Sequence, residues 1–268
     1  MQVLSKFNQR LPWQSLFSVV VFGFMYLPIL VLAVYSFNDS SNSAEWKGFT
    51  LKWYGQFFRD ERILSALGNS LTVALCAVAI AAVLGTLMAV GLARYKFFGK
   101  QLYQGAAYLP LIIPDISIAV ATLVFLAAIN LPLSLWTIVA AHVVFCLSYV
   151  ALVVSTRLVN LDPHLEEAAL DLGATPVQSF VRVLLPELSP AIISGCLLAF
   201  VLSMDDLLIA SFTASPDATT LPMLILSRIH TRIRPDINAL SVVLIVVSGI
   251  VALTAELIRY RSEKRRLR

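Results

Sequence analysis

Six apolar runs dominate the chain, and each is long enough to cross the hydrocarbon core of a bilayer as a helix, which takes about 20 residues. Backbone N–H and C=O groups find no water inside lipid, so we expect these runs to be helices rather than open strands. Only 13% of the residues are charged, against about 25% in a soluble domain. The sequence therefore predicts an all-α integral membrane protein with a single transmembrane domain, whose spans cover residues 16–37, 66–93, 105–129, 133–156, 190–213 and 237–258.

The basic residues predict how these spans are oriented. If the N-terminus is cytoplasmic, the segments on the cytoplasmic side carry most of the Lys and Arg residues of the chain. Basic residues concentrate on the cytoplasmic side of membrane proteins, so the distribution favours cytoplasmic N- and C-termini. The same clustering at span ends accounts for the isoelectric point of about 9.0, and we therefore expect no nucleic-acid partner.

A segment of mixed polarity, residues 162–189, separates the fourth and fifth apolar runs. Asp162 can cap the N-terminus of a helix, and Gly173 suits the left-handed residue that ends one. Between them, apolar residues recur at helical spacing and form a single stripe. That stripe consists of Leu165, Ala168, Ala169 and Leu172.

A second helix is predicted directly after Gly173. Thr175 and Gln178 have the spacing of a capping box, and Pro176 takes the first helical position, where no N–H is needed. Pro186 then leads into the next apolar run. The pattern predicts two short amphipathic helices joined at a glycine elbow. Such an elbow is either an ordinary hairpin packed on its own bundle or a protruding element that another protein grips.

A spaced motif runs through this elbow: Glu167-Ala168-Ala169, then Gly173 four residues after the second alanine, then Leu185-Pro186. The motif resembles the cytoplasmic coupling segment in permease subunits of ABC-type importers, which sits in a cleft of a separate ATPase subunit. The resemblance implies the type I ABC importer permease fold, with a cytoplasmic coupling helix pair. It also implies ATPase contact for Glu166, Glu167, Ala168, Ala169, Leu172, Gly173, Ala174 and Pro176.

The resemblance implies partners as well. They are a second, similar permease subunit, two ATP-binding subunits and a periplasmic solute-binding protein, gathered at the inner membrane of a bacterium. The chain itself contains no G-x-x-x-x-G-K-[ST] motif that could cradle ATP phosphates. We therefore expect ATP and Mg on the partner ATPase, no cofactor or metal in this chain, and no enzymatic activity of its own.

Three aspartates fall within the predicted spans: Asp115, Asp205 and Asp206. An ionisable residue inside a membrane span is costly, and a functional role is the default hypothesis. In a continuous helix, Ser203, Asp206 and Thr213 share a polar face, which suits the lining of a substrate pathway. Asp115 follows Pro114, and Pro110 lies one turn earlier, so a kink is expected in the third span.

Two interpretations of these acids remain open. They can pair with other groups of the protein and hold helices together, or they can line a passage for a cation. No Lys or Arg lies deep in any predicted span, which favours the cation. A primary ammonium offers three donors to carboxylates and can also rest on an aromatic face.

Further stretches narrow the resemblance. LSMDDLLIASF in the fifth span, AHVVFCLSYVALVVSTRL in the fourth, and the later TTLPMLILSRI and RPDINAL resemble the polyamine subgroup of importer permeases, the putrescine type in particular. The implied substrate is therefore putrescine or spermidine. Three alternatives stay open: an ABC permease for another small solute, an ion-coupled carrier in which the three aspartates exchange protons, and an intramembrane enzyme, for which no nucleophile or metal set is visible.

Overall fold

The computed structural model describes residues 12–40, 45–162, 164–231 and 235–266, and these are mostly helical. Several basic residues that bear on the predicted orientation, among them Lys6, Arg10, Arg232 and Arg234, lie outside this part of the chain. The helices are α1 (Pro12–Tyr35), α2 (Lys52–Phe57), α3 (Glu61–Arg94), α4 (Lys100–Tyr108), α5 (Asp115–Ala128), α6 (Leu135–Val159), α7 (His164–Asp171), α8 (Pro176–Ser179), α9 (Leu185–Asp205), α10 (Leu208–Thr213), α11 (Leu221–Thr231) and α12 (Pro235–Arg266), with a 3-10 turn at Leu109–Leu111 and a π-helical turn at Phe180–Leu184.

Four helical stretches among the described residues are long and apolar enough to cross a membrane, and one bent pair adds a fifth. The sixth predicted span, 237–258, lies on α12, whose stretch Asp236–Ile250 is apolar. The all-α membrane fold expected from the sequence is confirmed. The four stretches are Ser15–Tyr35, Glu61–Arg94, Leu135–Val159 and Pro176–Asp205, and the bent pair is Lys100–Leu111 with Asp115–Ala128.

Backbone contacts divide the chain into two compact units. One consists of Met1–Asp60 with Arg228–Val247, and in it the Arg228 guanidinium pairs with Asp60 at 2.6 Å and with Asp236 at 3.4 Å. The other consists of Glu61–Ser227 with Ser248–Arg268. All three intramembrane aspartates and the elbow belong to this second unit.

The core of the second unit is the packing of α3, α6 and α9. Val150 on α6 lies between two glycines, one from each neighbouring helix. A Cβ atom on Gly85 of α3 would stand 3.1 Å from the Val150 Cβ, and one on Gly195 of α9 would stand 3.2 Å from the Val150 Cα. Small residues allow helix backbones to approach closely in membranes, where dispersion contacts replace the hydrophobic effect between helices.

The third span is broken into two helices at the position where the sequence predicts a kink. Helix α4 and the 3-10 turn meet α5 at an angle of 108°, and Pro110 and Pro114 lie at this corner. Proline lacks an N–H and its ring clashes with the preceding turn, so a helix cannot run straight through both. On the near side of the corner, α4 is held to α6 by hydrogen bonds from Ser148 Oγ to the Ala107 carbonyl (2.7 Å) and between Tyr108 and Ser155 (3.0 Å).

The fifth span differs from the prediction at both ends. The second elbow helix does not stop before it: residues 176–205 run on as one helical stretch through the π turn. There the Leu185 N–H reaches five residues back to the Phe180 carbonyl, and Pro186, which has no N–H, follows. At the other end, the predicted continuous helix over 190–213 is interrupted, because α9 ends at Asp205 and α10 begins at Leu208.

Candidate functional site

The two broken spans bring the three intramembrane aspartates together. Asp115 is the first residue of α5, Asp205 is the last residue of α9, and Asp206 lies in the gap before α10. All three line one cavity of about 260 Å³. The remaining lining residues are Pro110, Phe145, Tyr149, Leu202, Leu207, Leu208 and Ile209.

Asp115 and Asp205 are exposed, whereas Asp206 is largely buried. Neither of the two exposed carboxylates has a salt bridge to any residue that the structure describes. Two carboxylates facing one small cavity repel each other and attract cations. The cavity is therefore suited to a positively charged ligand rather than to an anion.

The Asp206 carboxylate already accepts hydrogen bonds from other groups of the protein. Its Oδ2 accepts from the Ala210 N–H at 2.8 Å, and its Oδ1 accepts from the Ile209 N–H at 3.3 Å. These are orphan donors at the start of α10, so the side chain caps that helix. The cap is the physical reason for the break, because a carboxylate that bonds the next turn favours an extended residue (φ −67°, ψ 125°) over a helical one.

The structure also supplies a partner that sequence reasoning missed. His142 on α6 is completely buried, and its Nε2 lies 3.2 Å from Asp206 Oδ2. Its Nδ1 lies 2.7 Å from Ser203 Oγ. The absence of Lys and Arg from the depth of the predicted spans does not reveal this partner, because the partner is a histidine. A histidine inside an apolar span is the signal that could have found it.

Two further residues predicted to line the pathway, Ser203 and Thr213, are buried against α6. Ser203 bonds His142, as above. The Thr213 carbonyl lies 2.8 Å from the Thr137 hydroxyl, and the Thr213 hydroxyl donates to the Ile209 carbonyl at 2.7 Å. Ser203 and Thr213 therefore bond protein groups and do not line the cavity, whereas Asp206 bonds protein groups and lines the cavity as well.

The cavity combines carboxylates with aromatic surface. Phe145 and Tyr149 come from α6, one turn apart, and line the same space as Asp115 and Asp205. A primary ammonium can donate to carboxylate oxygens while its alkyl chain and charge rest on aromatic rings. This combination can hold a small organic amine, and nothing in it resembles a nucleophile with its base.

A second, larger cavity of about 550 Å³ lies between α3 and the segment 217–227. Its charged lining residues have both signs: Glu61, Arg62 and Asp217. None of the predicted pathway residues lines it. The smaller cavity, with acids alone, is the better candidate for a cation.

The elbow has the geometry expected from its sequence. Gly173 has φ +89°, and the Ala174 N–H reaches the Ala169 carbonyl at 3.0 Å while the Gly173 N–H reaches the Leu170 carbonyl at 2.9 Å. This is a Schellman ending, and it requires the left-handed residue that glycine provides. The capping box between Thr175 and Gln178 is present as predicted, with Pro176 as the first residue of α8.

The tip of the elbow exposes apolar side chains. Leu172 is 89% exposed and Val177 is 71% exposed, one on each side of Gly173. The predicted coupling residues Glu167, Ala168 and Pro176 are exposed too, while Ala169 and Ala174 are half-buried. Glu166 instead turns toward its own chain, where it forms an ion pair with Arg94 at the end of α3.

His164, in the first turn of α7, is exposed, and its Nδ1 lies 2.9 Å from Glu167 Oε2. This hydrogen bond, together with the charges of Asp162 and Glu167, raises the pKa of His164 above its ordinary value. The elbow therefore carries a histidine that holds its proton more firmly than a free one.

Comparison with known proteins shows which family of transport proteins the chain resembles. Residues 81–268 match the family described as binding-protein-dependent transport system inner membrane component. The chain is 44% identical to the putrescine transport system permease protein PotI of Escherichia coli K12, covering 97% of this chain and 95% of that one. It is 36% identical to the spermidine/putrescine transport system permease protein PotC of Haemophilus influenzae, covering 91% and 95%.

A solved structure shares the fold. It is the crystal structure of a bacterial alginate ABC transporter in complex with an alginate pentasaccharide-bound periplasmic protein, and the superposition has a TM-score of 0.70. It covers 93% of each chain at 18% sequence identity. At that identity the likeness concerns the fold, which is that of an ABC importer permease.

Proposed function

This chain belongs to the family of binding-protein-dependent transport system inner membrane components, and we propose that it is the permease subunit of an ATP-driven importer for a polyamine, with putrescine as the foremost candidate. The similarity to PotI extends over 97% of the chain, so it includes the residues of both broken spans. Relatives named for spermidine and putrescine are more distant at 36%. The substrate class thus rests on the relatives, and the site rests on the chain's own residues.

The observation that carries the proposal is the cavity lined by Asp115, Asp205 and Asp206. A carboxylate within a span is held there at a cost of a few kcal/mol unless it meets a cation or several donors. Asp206 meets its donors within the protein. Asp115 and Asp205 remain for the ammonium groups of the substrate, with Tyr149 and Phe145 against its methylenes.

The elbow is the second part of the proposal. Residues Leu172 and Val177 present apolar surface on either side of a rigid Schellman turn, and a partner that covers them gains roughly 25 cal/mol for each Å² removed from water. We assign this surface to the ATPase subunit, which supplies ATP and Mg. Movement of α7 would reach the bundle along two routes: the continuous helix 176–205 and the ion pair from Glu166 to Arg94.

The remaining partners are proposed from the family to which the chain belongs. Helix α1 is long and apolar enough to cross a membrane, so lipid or a second permease subunit covers its apolar surface there. The proposed complex contains this chain, a second permease subunit, two ATP-binding subunits and a periplasmic solute-binding protein. We propose that the elbow and both termini lie on the cytoplasmic side of the inner membrane.

The test is uptake of labelled putrescine by the complex reconstituted in proteoliposomes, with the solute-binding protein outside, ATP inside and no pH gradient. D115N and D205N keep side-chain volume and remove one charge each, and we expect each to lower uptake roughly tenfold, the value of one charge-assisted hydrogen bond. D217N, which removes a carboxylate from the larger cavity, is the matched control.

Each result decides between named alternatives. Full-rate uptake by both D115N and D205N contradicts the amine site. Uptake that collapses with an uncoupler while ATP is held constant favours an ion-coupled carrier. Uptake of another small solute in place of putrescine or spermidine, with the same ATP dependence, keeps the permease and overturns the substrate.

A further inference from the structure

His142 joins the gap in the fifth span to a neighbouring helix through both of its ring nitrogens. It lies on α6 and is completely buried. Its Nδ1 contacts Ser203 on the last turns of α9, at 2.7 Å, and its Nε2 contacts Asp206 in the gap, at 3.2 Å. Its ring also packs on Phe145, with the centroids 5.1 Å apart. The imidazole therefore spans the break from its α9 side to its α10 side.

The direction of these hydrogen bonds follows from the partners. An ionised carboxylate only accepts, so Nε2 carries the hydrogen and donates to Asp206 Oδ2. The same oxygen accepts from the Ala210 N–H at 2.8 Å. Because both ring nitrogens are hydrogen-bonded, the imidazole has a single orientation. In histidines generally, the hydrogen bond at one ring nitrogen sets the role of the other.

The short helix α10 is held by α6 at both ends. At its start, His142 holds Asp206, which caps the Ile209 and Ala210 amides. At its finish, the Thr213 carbonyl lies 2.8 Å from the Thr137 hydroxyl. A helix of six residues is too short to be stable by itself, so these attachments, together with its packing on α5, hold it in place.

The position of α10 determines the cavity. Leu207, Leu208 and Ile209 form part of its lining, and Asp205 lies two residues before Leu207. If the Asp206 side chain lost its hydrogen bonds to the amides of α10, φ and ψ at the break would be free to change. The Asp205 carboxylate would then move relative to Asp115. Asp205 is exposed, and its side chain has no salt bridge within the part of the chain that the structure describes.

We propose that His142 is a positioning residue for substrate: by holding Asp206 onto the start of α10, it fixes the break in the fifth span so that Asp205 faces the cavity opposite Asp115. The proposal rests on the proposed function for its substrate, an organic amine. It does not make His142 a ligand, because the ring touches Asp206 and Ser203 and is itself buried.

The first experiment needs no substrate. Backbone amide hydrogen exchange is measured for the peptide that covers residues 206–213 in the assembled complex. In H142Q the amide nitrogen can take the place of Nε2 and donate to Asp206, whereas in H142N the side chain reaches Ser203 but is too short for Asp206. We expect H142N to speed exchange about tenfold, the value of one hydrogen bond to a charged group, and H142Q to stay within about twofold of the unmodified protein.

The matched control is S211A. Ser211 lies on the same short helix, and its hydroxyl bonds the Leu207 carbonyl of its own turn at 2.6 Å, without contact to His142. Faster exchange in H142N with slow exchange in H142Q and S211A supports the proposal. Equal exchange in H142N and H142Q, whether slow or fast, overturns it. If H142N does not assemble, S203A decides: it removes the Nδ1 partner alone and should speed exchange about threefold, and unchanged exchange overturns the proposal.

The second experiment adds the substrate. Putrescine is titrated into the detergent-solubilised complex without the solute-binding protein, so that binding reports the permease cavity. We expect H142N to raise the Kd about tenfold and H142Q to restore it. If the unmodified complex binds no putrescine, the proposed function fails, and the exchange result still stands by itself. If it binds putrescine and H142N binds equally well, the positioning role is overturned.

Discussion

Arg94, the last residue of α3, forms an ion pair with Glu166 in the first turn of α7. The two residues are 72 positions apart, and each side chain is less than one third exposed. The pair ties the elbow directly to the long helix that packs on α6 at Val150. An acid in the first turn of a helix is also favoured by the helix dipole.

We predict that E166Q lowers transport per ATP hydrolysed more than it lowers assembly. The neutral side chain leaves Arg94 without its partner, so movement of α7 is no longer transmitted to α3, while Leu172 and Val177 still present their apolar surface. A partly exposed pair of this kind contributes about 0.2–1 kcal/mol, so stability should change little. The measurement is the ratio of putrescine uptake to phosphate release in proteoliposomes. The R94E/E166R exchange restores the pair and should restore part of the ratio, and a ratio unchanged by E166Q contradicts the role.

Gly85 gives a prediction about the core. A Cβ on this residue would stand 2.9 Å from the Leu147 carbonyl oxygen, and a backbone atom inside α6 cannot step aside alone. G85A should therefore destabilise the complex by about 1–3 kcal/mol, the range for overpacked cores. Gly91 is on the same helix, and a Cβ there would meet nothing within 4 Å, so G91A is the matched control. Thermal unfolding of the purified complex measures both, and equal melting temperatures for G85A and G91A would contradict the packing.

Gly173 gives a prediction that depends on backbone conformation rather than on side-chain contacts. A Cβ here would meet nothing within 4 Å, but φ is +89°, which costs an ordinary residue roughly 1–2 kcal/mol. G173V should therefore shift the second elbow helix and weaken recovery of the ATPase subunit in a pull-down, at normal membrane levels of the permease. Asn tolerates the left-handed region, so G173N should recover the ATPase nearly as well as the unmodified chain. Undiminished recovery of the ATPase subunit by G173V would contradict this prediction.

The raised pKa of His164 gives a prediction about pH. Its main cause is the hydrogen bond to Glu167, followed by the charge of Asp162. A raised pKa means that the folded elbow favours the protonated ring, so this contribution to stability is complete below the ordinary histidine pKa. It is lost as the pH rises through the raised pKa. Titration of the His164 ring signals by NMR should give a pKa above the ordinary value, and E167Q should lower it more than D162N. Equal pKa values in E167Q and the unmodified protein would contradict the assignment.

Local sequence patterns predicted the elbow well, because its ending depends on neighbours along the chain. The Schellman turn at Gly173 and the capping box at Thr175 use hydrogen bonds within a few residues, and both are present. The position of the spans follows from apolar composition, which also depends on local sequence alone.

The break at Asp206 could not be predicted in this way. Composition describes residues 190–213 as one apolar run, and the helix ends because the Asp206 carboxylate takes the amides of the next turn and the His142 ring, 64 residues away. The bend of 108° between α4 and α5 is similar: Pro110 and Pro114 indicate that the helix must deviate, but the packing of α4 on α6 sets the angle.

Asp205 and Asp206 are adjacent and chemically identical, so replacing each by Asn is a matched pair of experiments. Asp206 accepts from two backbone amides and from His142 Nε2. In D206N, the amide NH₂ faces one of these donors, so one acceptor is lost inside the protein. We expect the complex to lose about 1–3 kcal/mol of stability and the peptide covering 206–213 to exchange faster.

D205N removes the same charge from an exposed carboxylate that faces the cavity. Its thermal unfolding should match that of the unmodified complex, while its Kd for putrescine should rise about tenfold, because one ammonium loses a charge-assisted hydrogen bond. Unfolding temperature and putrescine Kd are measured on both variants. We expect D206N to lower the unfolding temperature more than D205N does, and D205N to raise the putrescine Kd more than D206N does. A D205N complex that unfolds as early as D206N, or a D206N complex of full stability that binds no putrescine, would show that the two neighbours have the opposite roles.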